Sequence, residues 1–254
     1  MRRLLPYRDL ILTLVARELT VRYKRSTIGL VWTMLQPLLT MLVLHLVFSS
    51  LFRFQVDNYP VYVLAGLLFW NFFSQSIISS MNSLRTNAGL LKKLPVPHAI
   101  FPVATIAAGV VNLLLALLPL LGLLVVTGHP LTPALLFLPV SITIATIFTL
   151  GAGLLLSPLA VFFYDVVEVV GVLMTLALYL TPIIYPMSIV PPSFLWFIRY
   201  NPLRSILEIF RDPIYYGKIP PMSHLSVAMA VALAVFIVGY LGFKRSAPRI
   251  PFYV

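Results

Sequence analysis

The sequence predicts an all-α integral membrane protein with six transmembrane helices, and three observations carry that prediction. Of its 254 residues, 60% are apolar and only 10% charged, with a mean hydropathy of +1.00. A soluble domain carries about a quarter charged residues, because water must solvate its surface. The apolar residues gather into runs near the roughly 20 residues that a helix needs to cross the hydrocarbon core. The basic residues then flank those runs in clusters that share one side of the membrane. A soluble enzyme and a disordered chain are both excluded by this composition.

The runs extend from Val31 to Leu51, Val61 to Ile78, Ala99 to Thr127, Ala134 to Val161, Val169 to Tyr185 and Leu225 to Phe243. An even number of crossings returns both termini to one side. That side receives Arg2, Arg3, Arg8, Arg17, Arg22, Lys24 and Arg25, then Arg85, Lys92 and Lys93, then Lys244, Arg245 and Arg249. By the positive-inside rule it is cytoplasmic. The formal charge of +11 therefore reflects topology and attraction to anionic head groups, not nucleic acid. On the other side, the first two loops carry only Arg53 and His129, while the third holds Arg199, Arg204, Arg211 and Lys218. Those four are expected at the outer surface or lining a wet cavity.

Ahead of the first span, Tyr7 to Arg25 reads as an amphipathic helix. Tyr7, Leu10, Ile11, Leu14, Val15 and Leu19 form one stripe, and Glu18 precedes Arg22 by one helical turn in the favourable order. Such a helix lies in the membrane interface, and no secretory signal peptide is visible. Between Tyr185 and Leu225, repeated prolines interrupt the apolar stretches. Ser193 to Tyr200 and Pro202 to Arg211 are helix-like but too short to cross, with Asn201 as a cap before a first-turn proline. No internal repeat or linker divides the chain, so residues 1–254 form a single transmembrane domain.

Familiar catalytic patterns are missing. The sole Gly-Lys pair, Gly217-Lys218, precedes Ile219, so there is no phosphate-binding loop. His45, His98, His129 and His224 are scattered, which leaves no metal pattern. Without cysteine there are no disulfides or thiolate sites. Asp165 and Glu168 form a close acidic pair, which suits the start of a helix through its dipole. Ionisable groups are nearly absent from mid-membrane, which directs attention to a partner subunit rather than an ion gradient as the energy source.

Two places carry a positive signal. In the second span Phe69, Trp70, Phe72 and Phe73 lie beside Asn71, Ser74, Gln75, Ser76 and Ser79. Trp70 lies eleven residues past Tyr59, about 16 Å deep, beyond an interfacial belt. Asn71, Ser74 and Gln75 form a polar stripe that serves either inter-helix hydrogen bonds or a hydrated path, and Thr33, Gln36 and Thr40 make a second such stripe in the first span. Rings beside amides suit a sugar-conducting surface, although lipid-facing packing uses the same rings. In the loop from Asn82 to Pro97, Leu90, Leu91 and Leu94 alternate with Arg85, Lys92 and Lys93 and are stopped by Pro95 and Pro97. A short amphipathic helix fits there, on the membrane or in a partner's groove.

Arg22-Tyr23-Lys24-Arg25-Ser26 through Gly29, Trp32 and Pro37, the Lys93-Leu94-Pro95 turn into Phe101-Pro102, Phe163-Tyr164-Asp165-Val166, Thr181-Pro182-Ile183-Ile184-Tyr185-Pro186, and Asn201-Pro202-Leu203 occur in order along the chain. Together they resemble the polysaccharide and polyol-phosphate export permeases of ABC transporters, most closely those for O-antigen or similar lipid-linked glycans. The resemblance implies a homodimer around a continuous channel in the bacterial inner membrane, joined to two copies of a separate cytosolic ATPase that binds ATP and Mg. This chain would itself bind no cofactor and catalyse no reaction. Residues 1–30 would hold the interface helix, 82–97 the coupling loop and 186–221 the outer gate. Leu90, Lys92, Lys93, Leu94 and Pro95 would meet the ATPase. Arg17, Glu18, Arg22, Tyr23, Lys24 and Arg25 would form the cytoplasmic entry, where the basic members attract a substrate pyrophosphate or lipid head groups. Phe69, Trp70, Asn71, Phe73, Gln75, Tyr179, Tyr185, Trp196 and Tyr200 would line the channel or gate. Permeases for capsule, teichoic acid, drugs or other small lipids share this architecture, and a membrane-embedded glycan-lipid enzyme is the alternative from another class.

Overall fold

The computed structural model describes residues 5–24, 28–48, 56–93 and 95–253, without the side chains of residues 5, 22 and 23. Among them the regular structure is helical: α1 (Arg8–Tyr23), α2 (Val31–Val47), α3 (Tyr59–Thr86), α4 (Ala88–Lys93), α5 (Ile100–Val126), α6 (Leu138–Phe162), α7 (Val166–Leu180), α8 (Leu195–Arg199), α9 (Pro202–Arg211) and α10 (Met222–Ser246). Four helical stretches, Tyr59–Thr86, Ile100–Val126, Pro133–Phe162 and Met222–Phe252, are long and apolar enough to cross a membrane. α2 and α7 are apolar but shorter, with 17 and 15 residues.

α3 is the axis of the bundle. Its most apolar window is 78% buried, because α2, α5, α6, α7 and α9 all pack around it. Val61, Val63, Leu64, Phe69, Ile77 and Met81 are wholly enclosed. In contrast, the corresponding window of α10 is only 17% buried, since its other faces look outward and one side lies along α6. That contact is made by glycines. A Cβ on Gly239 would run into the Gly151 carbonyl, and one on Gly151 would meet the backbone of Phe236 at 2.5 Å. Absent side chains let the two backbones touch, the way small residues substitute for a hydrophobic driving force in lipid.

Two boundaries differ from the sequence expectation by five residues or more, each for a local reason. α3 continues to Thr86 instead of ending near Ile78. Its polar run stays helical by bonding back on itself: Asn82 Nδ2 donates to the Ile78 carbonyl at 3.0 Å and Ser83 Oγ to that of Ser80 at 2.7 Å, while Leu84 is fully buried. The fifth apolar run, expected to reach Tyr185, is helical only to Leu180. Pro182 cannot continue the helix, and the carbonyls from Pro182 to Tyr185 are bonded by side chains of other elements.

A second apolar cluster closes the end of the bundle that bears α1 and α4. Leu14 is buried there with Leu84, Leu91, Phe101, Leu154 and Phe243, and Tyr7, Leu10, Ile11 and Val15 pack against them. The stripe read along the first helix is thus its packed face. After Tyr200, Asn201 caps α9 by accepting from the Leu203 N–H at 3.0 Å, with Pro202 in the first turn.

Candidate functional site

Thr33 and Gln36 of the α2 stripe and Asn71 and Gln75 of the α3 stripe converge on one cavity of about 230 Å³, whose third wall is α5, while Thr40 and Ser74 donate back to the Gln36 and Trp70 carbonyls of their own helices. α2 supplies Trp32, Thr33 and Gln36, and α3 supplies Asn71, Phe72, Gln75, Ser76 and Ser79. α5 adds Thr105, Gly109 and Asn112. Helical periodicity gathers residues 71, 72, 75, 76 and 79 on one face of α3, and the packing of the three helices brings that face to the other two. Gly109 is required for closure, because a Cβ there would strike the Ser76 hydroxyl. Among the described residues, Ser76 Oγ is buried without a hydrogen-bond partner. Gln36 and Gln75 are exposed, and Asn71 is half-buried.

Apart from Phe72, the aromatic neighbours of that stripe do not line the cavity. Phe69, Trp70 and Phe73 are buried within the chain, with Phe69 and Phe73 stacked at 6.3 Å and Phe73 against Phe148 at 5.5 Å. Tyr179, Trp196 and Tyr200 instead stand exposed where α7 ends and α8 begins. Tyr185 is half-buried there, and its hydroxyl donates to the Tyr179 carbonyl at 2.7 Å.

The loop Thr181–Tyr185 is held by a buried cation. Arg211, expected at a surface or in a wet cavity, is 4% exposed. Its Nη1 donates to the Pro182 carbonyl at 2.8 Å and its Nη2 to that of Ile183 at 3.0 Å. The guanidinium lies 3.9 Å from the centre of the Tyr62 ring. Gly66 makes the room, since a Cβ at that position would collide with Arg211 Nη2. Tyr59 and Tyr62 complete the grip, donating to the Ile184 carbonyl at 2.8 Å and the Tyr185 carbonyl at 3.0 Å. Next along the chain, burial and then the Glu208 charge push the Asp212 carboxyl up to about 6, against His224, Arg211 and Lys218, which pull it down. Arg204 is half-buried and pairs with Glu208 at 2.6 Å.

At the opposite end of α3, Lys92 and Lys93 are exposed on α4, Leu91 is buried and Leu90 packs on the second cluster. Pro95 is exposed, and Leu94 lies outside the described residues. Arg17 of α1 donates to Asn87 Oδ1 at 2.9 Å, which ties the first helix to the α3–α4 junction. Arg85 lies 4.6 Å over the Tyr164 ring and ties that junction to the turn before α7. Glu18 is half-buried and Lys24 exposed. Arg25 and the side chains of Arg22 and Tyr23 lie outside the described residues. Asp165 and Glu168 occupy the cap and first turn of α7, in keeping with a helix-start role. Burial holds the His98 imidazole below its usual range, opposed by a hydrogen bond to the Ala247 backbone.

Asn112, Thr105 and Arg211 were not singled out as site residues by the sequence reading. Asn112 is the lone carboxamide in the apolar run of α5, a signal that could have marked it. Arg211 falls one turn after Leu207 and two after Leu203 on the apolar stripe of α9, so periodicity places it inward.

Comparison with known proteins agrees with this architecture. The family model for the ABC-2 type transporter matches residues 9–215. The chain is 30% identical over 240 residues to the O-antigen export system permease protein RfbA of Klebsiella pneumoniae, covering 93% of this chain and 92% of the relative. It is 31% identical over 236 residues to the protein of that name from Myxococcus xanthus, covering 92% and 91%. The polysialic acid transport protein KpsM of Escherichia coli is 25% identical over 232 residues, covering 88% of each chain. Exposed apolar helices and a match along nearly the whole length lead to one assignment: this chain belongs to the ABC-2 type transporter membrane family.

Proposed function

We propose that this chain is the transmembrane subunit of an ATP-driven exporter that moves a lipid-linked polysaccharide of the O-antigen type across the bacterial inner membrane. The observation that carries this reading is the similarity to O-antigen export permeases over 93% of the chain. Two copies enclose the path, and two copies of a cytosolic ATPase supply the energy, with ATP and Mg bound on that partner. The chain crosses six times with both termini cytoplasmic. α2 and α7 would span about 26 and 23 Å at 1.5 Å per residue. Both fall short of the roughly 30 Å hydrocarbon core, which local thinning or a second copy accommodates. Their exposed faces, Leu42, Val43 and Leu46 on α2 and Val172, Leu173 and Leu176 on α7, suit either lipid or that second copy.

In this mechanism α4 is the coupling helix and α1 the interface helix. Closure of the ATPase dimer pushes α4, and the Arg17–Asn87 bond and the Arg85–Tyr164 contact carry the displacement to α1 and to the turn before α7. α8 and α9 form the outer gate, anchored to α3 through Arg211. The test is uptake of a lipid-linked glycan into inverted membrane vesicles containing the permease and its ATPase. Export predicts protection of the glycan from external glycosidase only when ATP is hydrolysed. Equal protection without ATP would refute it. A capsule polymer as cargo is the second reading, favoured by the 25% identity to KpsM, and the same assay with an acidic glycan separates the two.

A further inference from the structure

We propose that the cavity between α2, α3 and α5 is a binding site for an uncharged, hydroxyl-rich ring, a single glycosyl unit in chemical class; this deepens the export reading and rests on it. The lining residues named above include no ionised side chain; the polar ones are carboxamides and hydroxyls. Among the described lining residues none offers a cation to repay a phosphate or carboxylate for the water it would lose on entering. Carboxamides instead both donate and accept, as sugar hydroxyls do.

Position and exposure point the same way. Among the described residues, the side chains of Gln36, Asn71 and Gln75 make no hydrogen bond to one another or to the rest of the chain. Inter-helix bonding within one copy therefore does not explain them. Polar groups in helices of membrane-crossing length are costly unless water, protein or a ligand satisfies them. Trp32, which is 48% exposed, lines the cavity, and Phe72 lies on the α3 wall. Flat aromatic faces beside amides suit the apolar face and hydroxyl rim of a pyranose. The cavity volume of about 230 Å³ leaves ample room for one ring.

Trp32 supplies the readout, as the part of the tryptophan signal that Trp32→Phe removes. The permease–ATPase complex in nanodiscs is titrated with maltopentaose and, separately, with glucose 6-phosphate, following tryptophan fluorescence. A saturable change with maltopentaose and at least tenfold weaker binding of the phosphate support the site. Gln36→Leu, Asn71→Leu and Gln75→Leu should each weaken maltopentaose binding by about threefold to tenfold, the share of one hydrogen bond. Nanodiscs containing monoglucosyl diacylglycerol distinguish the source: competition with maltopentaose assigns the site to a glycolipid head group, and no competition assigns it to the polymer. No saturable change, or phosphate binding as tight as the neutral probe, overturns the proposal. Should a leucine variant fail to fold, the wild-type comparison of the two probes still decides. ATP hydrolysis by the same complex reports independently on the export reading, so a silent cavity in an active complex rejects only this site.

Discussion

Replacing Arg211 ranks two substitutions in an order opposite to chemical similarity. The guanidinium makes two charge-assisted hydrogen bonds, at 2.8 and 3.0 Å, and stacks 3.9 Å from the Tyr62 ring. Such bonds are worth about 1.5–3 kcal/mol each, and a desolvated cation–π contact about 2 kcal/mol. Against this stands the cost of burying the cation, several kcal/mol. Arg211→Met removes the gain and the cost together. The Pro182 carbonyl keeps the Tyr62 hydroxyl at 3.3 Å, whereas that of Ile183 loses its only side-chain donor among the described residues. One orphaned carbonyl costs about 1–3 kcal/mol, so that is the expected loss. Arg211→Lys keeps a buried charge but lacks the fork that reaches two carbonyls and the plane that stacks on Tyr62. Its loss should approach the roughly 3–5 kcal/mol of a broken buried pair. Thermal unfolding of the purified protein in one detergent, read by tryptophan fluorescence, should rank wild type above Met and Met above Lys. If Lys matches wild type or exceeds Met, charge alone holds the loop and the fork geometry is irrelevant.

Three further outcomes follow from other parts of the molecule. Gly239→Val places a branched side chain against the Gly151 backbone; overpacking of about 1–3 kcal/mol exceeds the helix-propensity gain of a few tenths, so resistance to denaturing detergent should fall. The Asp212 carboxyl is raised from 3.8 to about 6 by burial, so the folded state holds its proton more tightly and stability falls as pH rises through that window. Asp212→Asn should flatten that part of the stability profile, and an unchanged slope would exclude Asp212 as its source. Lys92→Glu with Lys93→Glu reverses two exposed charges on α4; it should leave helicity intact but abolish glycan-stimulated ATP hydrolysis, and full stimulation would remove α4 from the contact.

What could be read from sequence was what local periodicity controls. The stripe of α1 and the Asn201–Pro202 cap depend on neighbours within a turn or two, and both are present. The end of α3 was misplaced because Asn82 and Ser83 look like loop residues, yet they satisfy themselves along their own helix. Arg211 was placed outside because charge usually means solvent; here Gly66, Tyr62 and two carbonyls, remote in sequence, create its niche. The cavity was half legible. Gln36, Asn71 and Gln75 stood out as stripes, but their convergence with Asn112 is a property of how three helices pack. Spacing along one helix contains no information about that.

Co-purification tests the central claim most directly. The tagged permease, coexpressed with its chromosomal neighbours and extracted in mild detergent, should recover a cytosolic ATPase in equal amount, with hydrolysis raised by lipid-linked glycan. Recovery of the permease alone, with no stimulated hydrolysis in the reconstituted membrane, would contradict the account.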